Sequence, residues 1–176
     1  MPFNIAHELN QVQKRIQTLY AQAEHHFDRS FKRPYVRFDL RGESAGQALL
    51  VKHQLRFNPV LLQENKAHFI EQTVAHEVAH LIAHELFGQR IRAHGKEWQA
   101  IMSEVFGLPA DRCHTYDTQR SSRKPWLYQC HCKESAIIPL STVRHNRALK
   151  GAIYRCTRCK SPLRFLRRNQ EAAASA

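Results

Sequence analysis

The sequence has few cysteines and glycines and no long apolar run, and these absences exclude several classes of protein. It contains five cysteines and six glycines in 176 residues. Its apolar runs are far shorter than the ~20 residues that a helix needs to cross a bilayer, so a membrane protein is not expected. The first residues, MPFNIAHELNQVQKRIQ, lack a basic and then apolar leader with a cleavage site. We therefore expect a cytoplasmic, reducing location, where cysteines serve as metal ligands more often than as disulfides.

Acidic residues are nearly missing from the C-terminal third of the chain. Residues 1–117 contain 14 Lys and Arg against 13 Asp and Glu, a net charge of +1. Residues 118–170 contain 13 basic residues against the single Glu134, a net charge of +12, and Glu171 then leaves the whole chain at +12. Such asymmetry indicates a polyanionic partner, above all nucleic acid, and a tail that only aids solubility is the alternative.

The spacing of apolar residues predicts an α+β protein. Steps of three and four residues place one apolar face on a first helix: Ile5, Leu9, Val12, Ile16, Leu19, Tyr20 and Ala23. The segments PYVRFDL, AGQALL and HQLRFNP are predicted strands, because they are rich in β-forming residues and broken by a turn at residues 41–44. Asn58 followed by Pro59 predicts a helix start, with Asn as the cap and Pro in the first turn. A long helix is expected from about Ala67 to Phe87, where Gly88 ends it, and another from about Lys96 to Val105.

Composition divides the chain into four predicted segments. Residues 1–117 form the core domain, and TQRSSRKP at 118–125 has the composition of a linker. Residues 126–168 form a small basic β unit that contains YQCHC, AIIPLST and AIYRCTRC. Residues 169–176, with the low-complexity end EAAASA, are expected to be a disordered tail.

The segment TVAHEVAHLIAHELFG, residues 73–88, contains the pattern His-Glu-x-x-His. His76 and His80 are separated by about 6 Å of helical rise on one face, so both imidazoles can reach one zinc ion at about 2.0–2.1 Å. Glu77 can then approach a metal-bound water as a general base without binding the metal itself. A solvated, histidine-rich helix face is the alternative, but in an apolar helix such histidines would be costly without partners.

A catalytic zinc site needs a third protein ligand and an open position for water. His84 lies about 12 Å of rise from His76 on the same helix, so it cannot easily converge with the first two ligands. It is expected beside the site or at the surface. His94 fits better, because the chain turns back after Gly88 and reaches residue 94 before the next helix. Glu97 is the competing choice.

The combination HEVAHLIAHELFG…HGKEW resembles the SprT-like family of zinc metallopeptidases. Upstream, SAGQALL and LRFNPVLLQEN resemble the strand and loop that precede the active helix of that family. The resemblance implies a zincin-like metallopeptidase core, in which helices pack on a small sheet and HExxH lies on a long helix. It also implies His76, His80 and His94 as ligands of a catalytic zinc, and Glu77 as the catalytic residue.

Four of the five cysteines form two close pairs: Cys130, Cys132, Cys156 and Cys159. Four thiolates from two strand ends suit a closed structural zinc site. The first pair is one residue tighter than usual, which leaves room for His131 or His145 to replace a cysteine. Cys113 has no partner by spacing and is expected to be a small buried residue. YQC-x-C, STVRHNR and YRCTRCKSPL resemble the C-terminal zinc ribbon of the SprT-like family, so we expect one catalytic and one structural zinc ion.

Aromatic residues are interleaved with the basic residues of the C-terminal segment. Cations contact phosphates, and rings such as Trp126 or Phe165 can stack on unpaired bases, although so small a unit needs most of its rings as core. The candidate nucleic-acid-binding residues are Arg144, Arg147, Lys150, Arg155, Arg158, Lys160 and Arg164. No base-reading motif is visible, so we expect DNA binding that is independent of sequence and favours single strands.

Two functions of different classes are compatible with these patterns. The eukaryotic relatives of the SprT-like family, the Spartan proteases, cleave proteins that are covalently trapped on DNA. The resemblance therefore implies a zinc-dependent endopeptidase that acts on proteins bound or crosslinked to DNA. We also expect a monomer without a membrane partner. The alternative is a non-catalytic nucleic-acid-binding or regulatory protein with an idle metallopeptidase fold. Glu77 favours the enzyme, because an idle site has no need of a base.

Overall fold

The computed structural model describes four stretches of the chain: residues 5–118, 120–122, 124–132 and 136–168. The chain divides into two units, Met1–Ser121 and Ser122–Ala176, and the division falls inside the segment predicted as a linker. Each unit combines helix with its own three-stranded sheet, which confirms the α+β class. The predicted tail at 169–176 lies outside the described residues.

The first unit begins with helix α1, Ile5–Phe27. The apolar face predicted for this helix is the face that it buries: Val12, Ile16, Leu19, Tyr20 and Ala23 are at most 3% exposed. These side chains join the core of the unit, where α1 packs against the helix that contains His76 and His80. The 3.6-residue period therefore identified the buried face correctly.

A small sheet forms the second layer of the first unit. Its strands are β1 (Tyr35–Arg37), β2 (Gly46–Leu49) and β3 (Gln54–Phe57), in the order β1-β3-β2. β3 pairs parallel with β1 and antiparallel with β2, so that Gly46 lies opposite Phe57. β2 is thus an edge strand, and no further strand of the described residues pairs with its outer side.

Capping residues mark the start of the first helix after the sheet and the end of the longest one. Helix α2, Pro59–Glu64, has Asn58 as its N-cap, whose side chain accepts from the backbone N–H groups of Val60 and Leu61. The longest rod after it joins α3 (Lys66–His68), a π-helical turn (Phe69–Thr73) and α4 (Val74–Phe87). Gly88, with φ at 76°, ends this rod, because its left-handed backbone suits glycine.

The last helix of the first unit is α5, Lys96–Ala100, which continues into a π-helical turn at Ile101–Val105. Trp98, Ile101 and Met102 are buried against α4 and complete the core. The two π-helical turns were not predicted, because apolar periodicity reports the buried face of a helix but not a local change in its hydrogen bonding.

The second unit is a small antiparallel sheet with one helix. Its elements are β4 (Trp126–Gln129), β5 (Ile137–Leu140), α6 (Thr142–Leu149) and β6 (Arg164–Arg168). The strand order is β5-β4-β6. Helix α6 corrects the expectation of a unit built from strands alone: Ser141 caps it by accepting from the N–H of Arg144.

Among the described residues, no helix combines the length and the apolar character that a membrane span requires.

Candidate metal centres

Three histidines converge in the first unit. His76 and His80 lie one turn apart on α4, and His94 lies in the loop before α5. Their Nε2 atoms are 3.2 Å apart for His76 and His80, 3.2 Å for His80 and His94, and 3.1 Å for His76 and His94. Ligands about 2.0–2.1 Å from a tetrahedral zinc ion are about 3.3 Å from one another, so these side chains fit a three-histidine zinc centre.

The competing third ligands do not join this cluster. Within the described part of the chain, the group of side chains that can share one metal ion here consists of the three histidines alone. His84 is half-buried, and its Nε2 has no hydrogen-bond partner among the described residues. The side chain of Glu97, on α5, lies beside Gly95 and not in the histidine cluster: its Oε2 would be 3.0 Å from a Cβ added to Gly95. The geometry thus favours His94 over Glu97, which metal analysis can test.

Burial keeps the three imidazoles neutral. Desolvation, with a smaller contribution from His94, lowers the pKa of His76 to about 4. Desolvation and the two neighbouring imidazoles lower the pKa of His80 to about 3, and desolvation also lowers the pKa of His94, with Arg112 acting in the same direction. Only the neutral imidazole has a lone pair for a metal, so these shifts maintain the ligating form at neutral pH.

One backbone carbonyl sets the orientation of the first ligand. The Nδ1 of His76 lies 3.2 Å from the carbonyl oxygen of Asp111, an arrangement in which Nδ1–H donates and Nε2 presents its lone pair to the cluster. Sequence reasoning did not identify residue 111, because a backbone contact of this kind leaves no mark on the side-chain pattern.

Glu77 lies beside the histidine cluster and is nearly enclosed. Its side chain is 7% exposed, and burial raises the pKa of its carboxyl to about 8, opposed by the backbone N–H of Ala48 in β2. A Cβ added to Gly46 would fall 2.6 Å from both Cγ and Oε1 of Glu77. The carboxyl group therefore packs directly on β2, and only glycine at position 46 leaves room for it.

A cleft of about 720 Å³ opens over His76 and Glu77. One wall is the segment from Glu43 to Gly46, and the other is the segment from Asp111 to Tyr116. The walls are joined by a hydrogen bond from the Nε2 of His114 to the carbonyl oxygen of Glu43, 3.0 Å long, since the Nδ1 of His114 accepts from the N–H of Tyr116. Neither wall was predicted from the sequence as part of a site.

The Tyr116 side chain anchors the second wall to the helical rod. Its hydroxyl lies 2.9 Å from Thr73 Oγ1 and 2.8 Å from His68 Nδ1. Its ring stacks on the rings of Phe69 and His114. His68 and the π-helical turn that follows it thus hold this wall in place.

Cys113 corrects one prediction, because it is exposed rather than buried. It lies in the segment that lines the cleft, between the exposed Arg112 and the half-buried His114. A cysteine in an irregular segment has no periodicity that would reveal its exposure, and the general preference of free cysteine for burial was misleading.

Four sulfur atoms converge in the second unit. The ligand atoms of Cys130, Cys132, Cys156 and Cys159 all lie within 4.8 Å of one another. Cys130 and Cys156 are buried, and the N–H of Cys132 donates to the sulfur of Cys130 over 3.2 Å, so the tight C-x-C spacing is compatible with a metal-binding turn. Hydrogen bonds from Ser161 and then Cys130 lower the pKa of Cys159 to about 6, which favours its thiolate.

Neither histidine that was considered as a substitute ligand joins these sulfurs. His145 is buried in the small core, where its ring stacks on Trp126 at a centroid distance of 3.8 Å and its Nδ1 lies 3.0 Å from the hydroxyl of Tyr128. His131 is exposed. Among the described residues, the sulfur-containing ligand group is therefore made of four cysteines.

The basic residues of the second unit point outward. All seven candidates for nucleic-acid contact are exposed: Arg144, Arg147, Lys150, Arg155, Arg158, Lys160 and Arg164. Of the neighbouring rings, Tyr128 is buried, whereas Phe165 is 49% exposed and lies 6.1 Å from the ring of Trp126. The guanidinium group of Arg168 lies over the Trp126 ring at 5.7 Å. The unit thus presents cations and the accessible ring of Phe165 on its surface.

Models of two known protein families match this chain, one in each of its two units. The model of the SprT-like family matches residues 16–114, and the model of the SprT-like zinc ribbon domain matches residues 124–167. The first match covers more than half of the chain, and the chain belongs to the SprT-like family.

Named relatives match along nearly their whole length. "Protein SprT" of Pseudomonas aeruginosa strain PAO1 is 58% identical over 151 residues, which cover 86% of this chain and 92% of the relative. "Protein SprT" of Pseudomonas fluorescens strain SBW25 is 52% identical over 155 residues, covering 88% of this chain and 94% of the relative. No solved structure gives a significant match.

Proposed function

We propose that this protein is a zinc-dependent endopeptidase that acts on proteins bound or crosslinked to DNA. The observation that carries the proposal is the convergence of His76, His80 and His94 beside the buried Glu77, where His76 and Glu77 line an open cleft. A metal centre that only stabilised the fold would have four protein ligands and no adjacent base. In this proposal the first unit is a zincin-like core, with HExxH on its long helix.

Glu77 is the catalytic base in the proposed reaction. Zinc held by three histidines supplies a Lewis acid that polarises a peptide carbonyl and makes a water molecule more acidic. The Glu77 carboxylate takes a proton from the attacking water as the new C–O bond forms, and returns it to the amine as the peptide C–N bond breaks. Burial raises the pKa of the Glu77 carboxyl group, and a zinc ion held by the three histidines would favour its ionised form.

The edge of β2 suits an extended peptide as substrate. The N–H of Ala48 points toward Glu77 and away from β3. In an antiparallel ladder, residues two apart on one strand point their backbone groups to the same side, so the N–H and C=O of Gly46 also point outward. An extended chain laid along this edge can pair with those groups and pass over His76 and Glu77. A cleft with an open strand edge therefore supports an unfolded or flexible protein segment as the substrate.

The second unit supports the choice of DNA as a partner. Its cysteine cluster fits a structural zinc ion, which would hold the small sheet together without an open position for chemistry. Seven exposed cations on a unit with almost no acidic residue favour contact with phosphates, and the exposed ring of Phe165 can stack on an unpaired base. Such binding would be independent of sequence and would bring the protease to DNA-bound proteins.

A proteolysis assay on a DNA-bound protein tests this function. The wild-type chain, loaded with zinc, should cleave the bound protein and should cleave it more slowly when the DNA is removed. Glu77→Gln should retain its zinc and lose activity by about 10²–10⁴-fold, since it removes the general base. Equal turnover by the zinc-loaded variant would refute the mechanism. DNA binding without any cleavage by the wild type would instead favour the non-catalytic alternative.

A further inference from the structure

The indole ring of Trp98 contacts all three imidazoles of the candidate catalytic site. Its centroid lies 4.7 Å from the ring of His76, 5.5 Å from that of His80 and 4.8 Å from that of His94. It meets His76 and His94 edge-on and stacks on His80 at 24°. Trp98 is 0% exposed, so this ring forms the buried floor beneath the cluster.

Trp98 is also bonded to the backbone of the first ligand. Its Nε1–H donates to the carbonyl oxygen of His76 over 3.2 Å, which ties α5 to α4. His76 is thereby held on two sides, at its carbonyl by Trp98 and at its Nδ1 by the carbonyl of Asp111. Because Trp98 lies in the first turn of α5, four residues after His94, it also holds the loop that supplies the third ligand against α4.

We infer that Trp98 is a positioning residue that fixes the three imidazoles in the geometry of a zinc site and thereby sets its zinc affinity. The inference rests on the proposed metal centre. An indole is large and rigid, so it blocks rotation of each imidazole away from the cluster. Its N–H restricts movement of α4, the helix that carries two of the ligands, relative to α5. Groups that orient metal ligands in this way typically contribute 10–100-fold to metal affinity.

A core residue without this role would behave differently on substitution. Its loss would lower the stability of the metal-free protein but leave the zinc affinity of the folded protein unchanged. Phenylalanine at position 98 keeps an aromatic ring but is smaller and cannot donate to His76, whereas leucine keeps neither the ring nor the N–H. The two substitutions therefore separate ring contact from hydrogen bonding, with the stability of each metal-free variant measured alongside.

The first experiment measures zinc affinity in the full chain, by competition with a chelating dye after the cysteine cluster has been filled with one equivalent of zinc. Trp98→Phe should weaken zinc binding at the histidine site by about 10-fold, and Trp98→Leu by about 100-fold. Trp126→Phe, the matched change in the second unit, should leave the zinc affinity of the histidine site unchanged. Wild-type affinity in folded Trp98→Phe and Trp98→Leu would overturn the inference and leave the proposed function intact. A wild-type chain that binds no zinc at the histidines would overturn both the inference and the proposed function.

The second experiment begins with a measurement that needs no Trp98 variant. The chain has two tryptophans, so Trp126→Phe leaves Trp98 as the sole indole fluorophore. Cobalt(II) bound at the three histidines should quench this fluorescence, with the same midpoint as the visible absorption band of the bound ion. In the Trp98→Phe variant the band should change in shape or intensity, because the ligand geometry is less constrained. Absorption without quenching, or an unchanged band, would overturn the inference.

Discussion

The carboxyl group of Glu77 lies against the backbone of Gly46, with no space between them for a side chain on residue 46. A Cβ at that position would fall 2.6 Å from Glu77 Cγ and Oε1 and 2.9 Å from Cδ. Gly46 begins the edge strand β2, so the strand that lines the cleft also fixes the position of the proposed base. The relationship joins a backbone feature of the sheet to the chemistry proposed for α4.

Gly46→Ala should displace Glu77 and reduce peptidase activity while the protein keeps its zinc. A shift of about 1 Å in a catalytic group can cost about 10²-fold in rate, and we expect a loss of that order. Peptide cleavage and zinc content, measured on the same preparation, check this outcome. In a Glu77→Gln background, Gly46→Ala should have no further effect on activity, because the group that it displaces is already inactive. Additive losses in the double variant would show that Gly46 acts elsewhere.

His94→Ala should remove zinc from the site on α4, since the remaining two histidines leave the ion with too few protein ligands. Glu97→Ala and His84→Ala should keep that zinc, because neither side chain joins the cluster. Metal analysis of the three purified variants, with the zinc of the cysteine cluster as internal reference, distinguishes these cases. Zinc loss in Glu97→Ala together with retention in His94→Ala would reverse the ligand assignment.

The full chain, purified under reducing conditions, should hold two zinc ions. A thiol-modifying reagent should release one of them, from the cysteine cluster, and leave the other at the histidines. Cys156→Ser combined with Cys159→Ser should hold one zinc ion by elemental analysis. A wild-type chain with a single ion that the double substitution does not affect would show that the second unit is free of metal.

DNA binding should weaken steeply as salt is added. If about half of the 13 basic residues in 118–170 contact phosphate, log K against log salt should have a slope of about −4 to −6. Arg147→Ala should flatten the slope by about one unit and weaken binding equally for different sequences. Fluorescence anisotropy of labelled single strands at several salt concentrations measures both quantities.

A fragment that ends after Ser122 is the control for the location of the DNA-binding surface. Ser121 belongs in the fragment, because its Oγ and carbonyl oxygen bond with the backbone of Gly42 in the loop before β2. The fragment should keep the histidine zinc site and bind DNA poorly. Strong, salt-sensitive binding by this fragment would place the DNA surface on the first unit.

Acid should destabilise the first unit partly through Glu24. Two hydrogen-bonded contacts with Arg33, at 2.6 and 2.8 Å, and the N–H of Phe31 lower the pKa of Glu24 to about 2 from 4.5. Because the folded-state pKa is the lower one, the stabilisation is present above about pH 4.5 and is lost as the pH falls toward 2. Urea unfolding of wild type and Glu24→Gln should therefore differ at pH 6 and converge near pH 2. A difference independent of pH would exclude the ion pair as its cause.

Local pattern was sufficient for several features of this protein. The 3.6-residue period identified the buried face of α1 and placed His76 and His80 side by side, because helical spacing depends only on sequence separation. Asn58 and Gly88 marked helix ends through their own hydrogen bonds and backbone preferences. The charge division at about residue 118 also needs no structure, since it is a count along the chain.

Tertiary structure decided what the chain brings together across loops. Residue spacing left His94 and Glu97 as alternatives, and only the path of the chain after Gly88 puts the Nε2 of His94 at 3.1 and 3.2 Å from the other two. In the same way, packing in the second unit directs His145 to Tyr128 and away from the sulfurs.

The contacts that complete the site are long-range in sequence and involve backbone or apolar groups. Gly46 meets Glu77, the carbonyl of Asp111 meets His76, and Trp98 meets all three imidazoles. The sequence by itself identified the side chains that can bind metal or act as a base, because their residue types and spacing are local to one helix and two cysteine pairs. Only the fold decided what holds them, because a close approach between distant segments depends on packing, which no local period records.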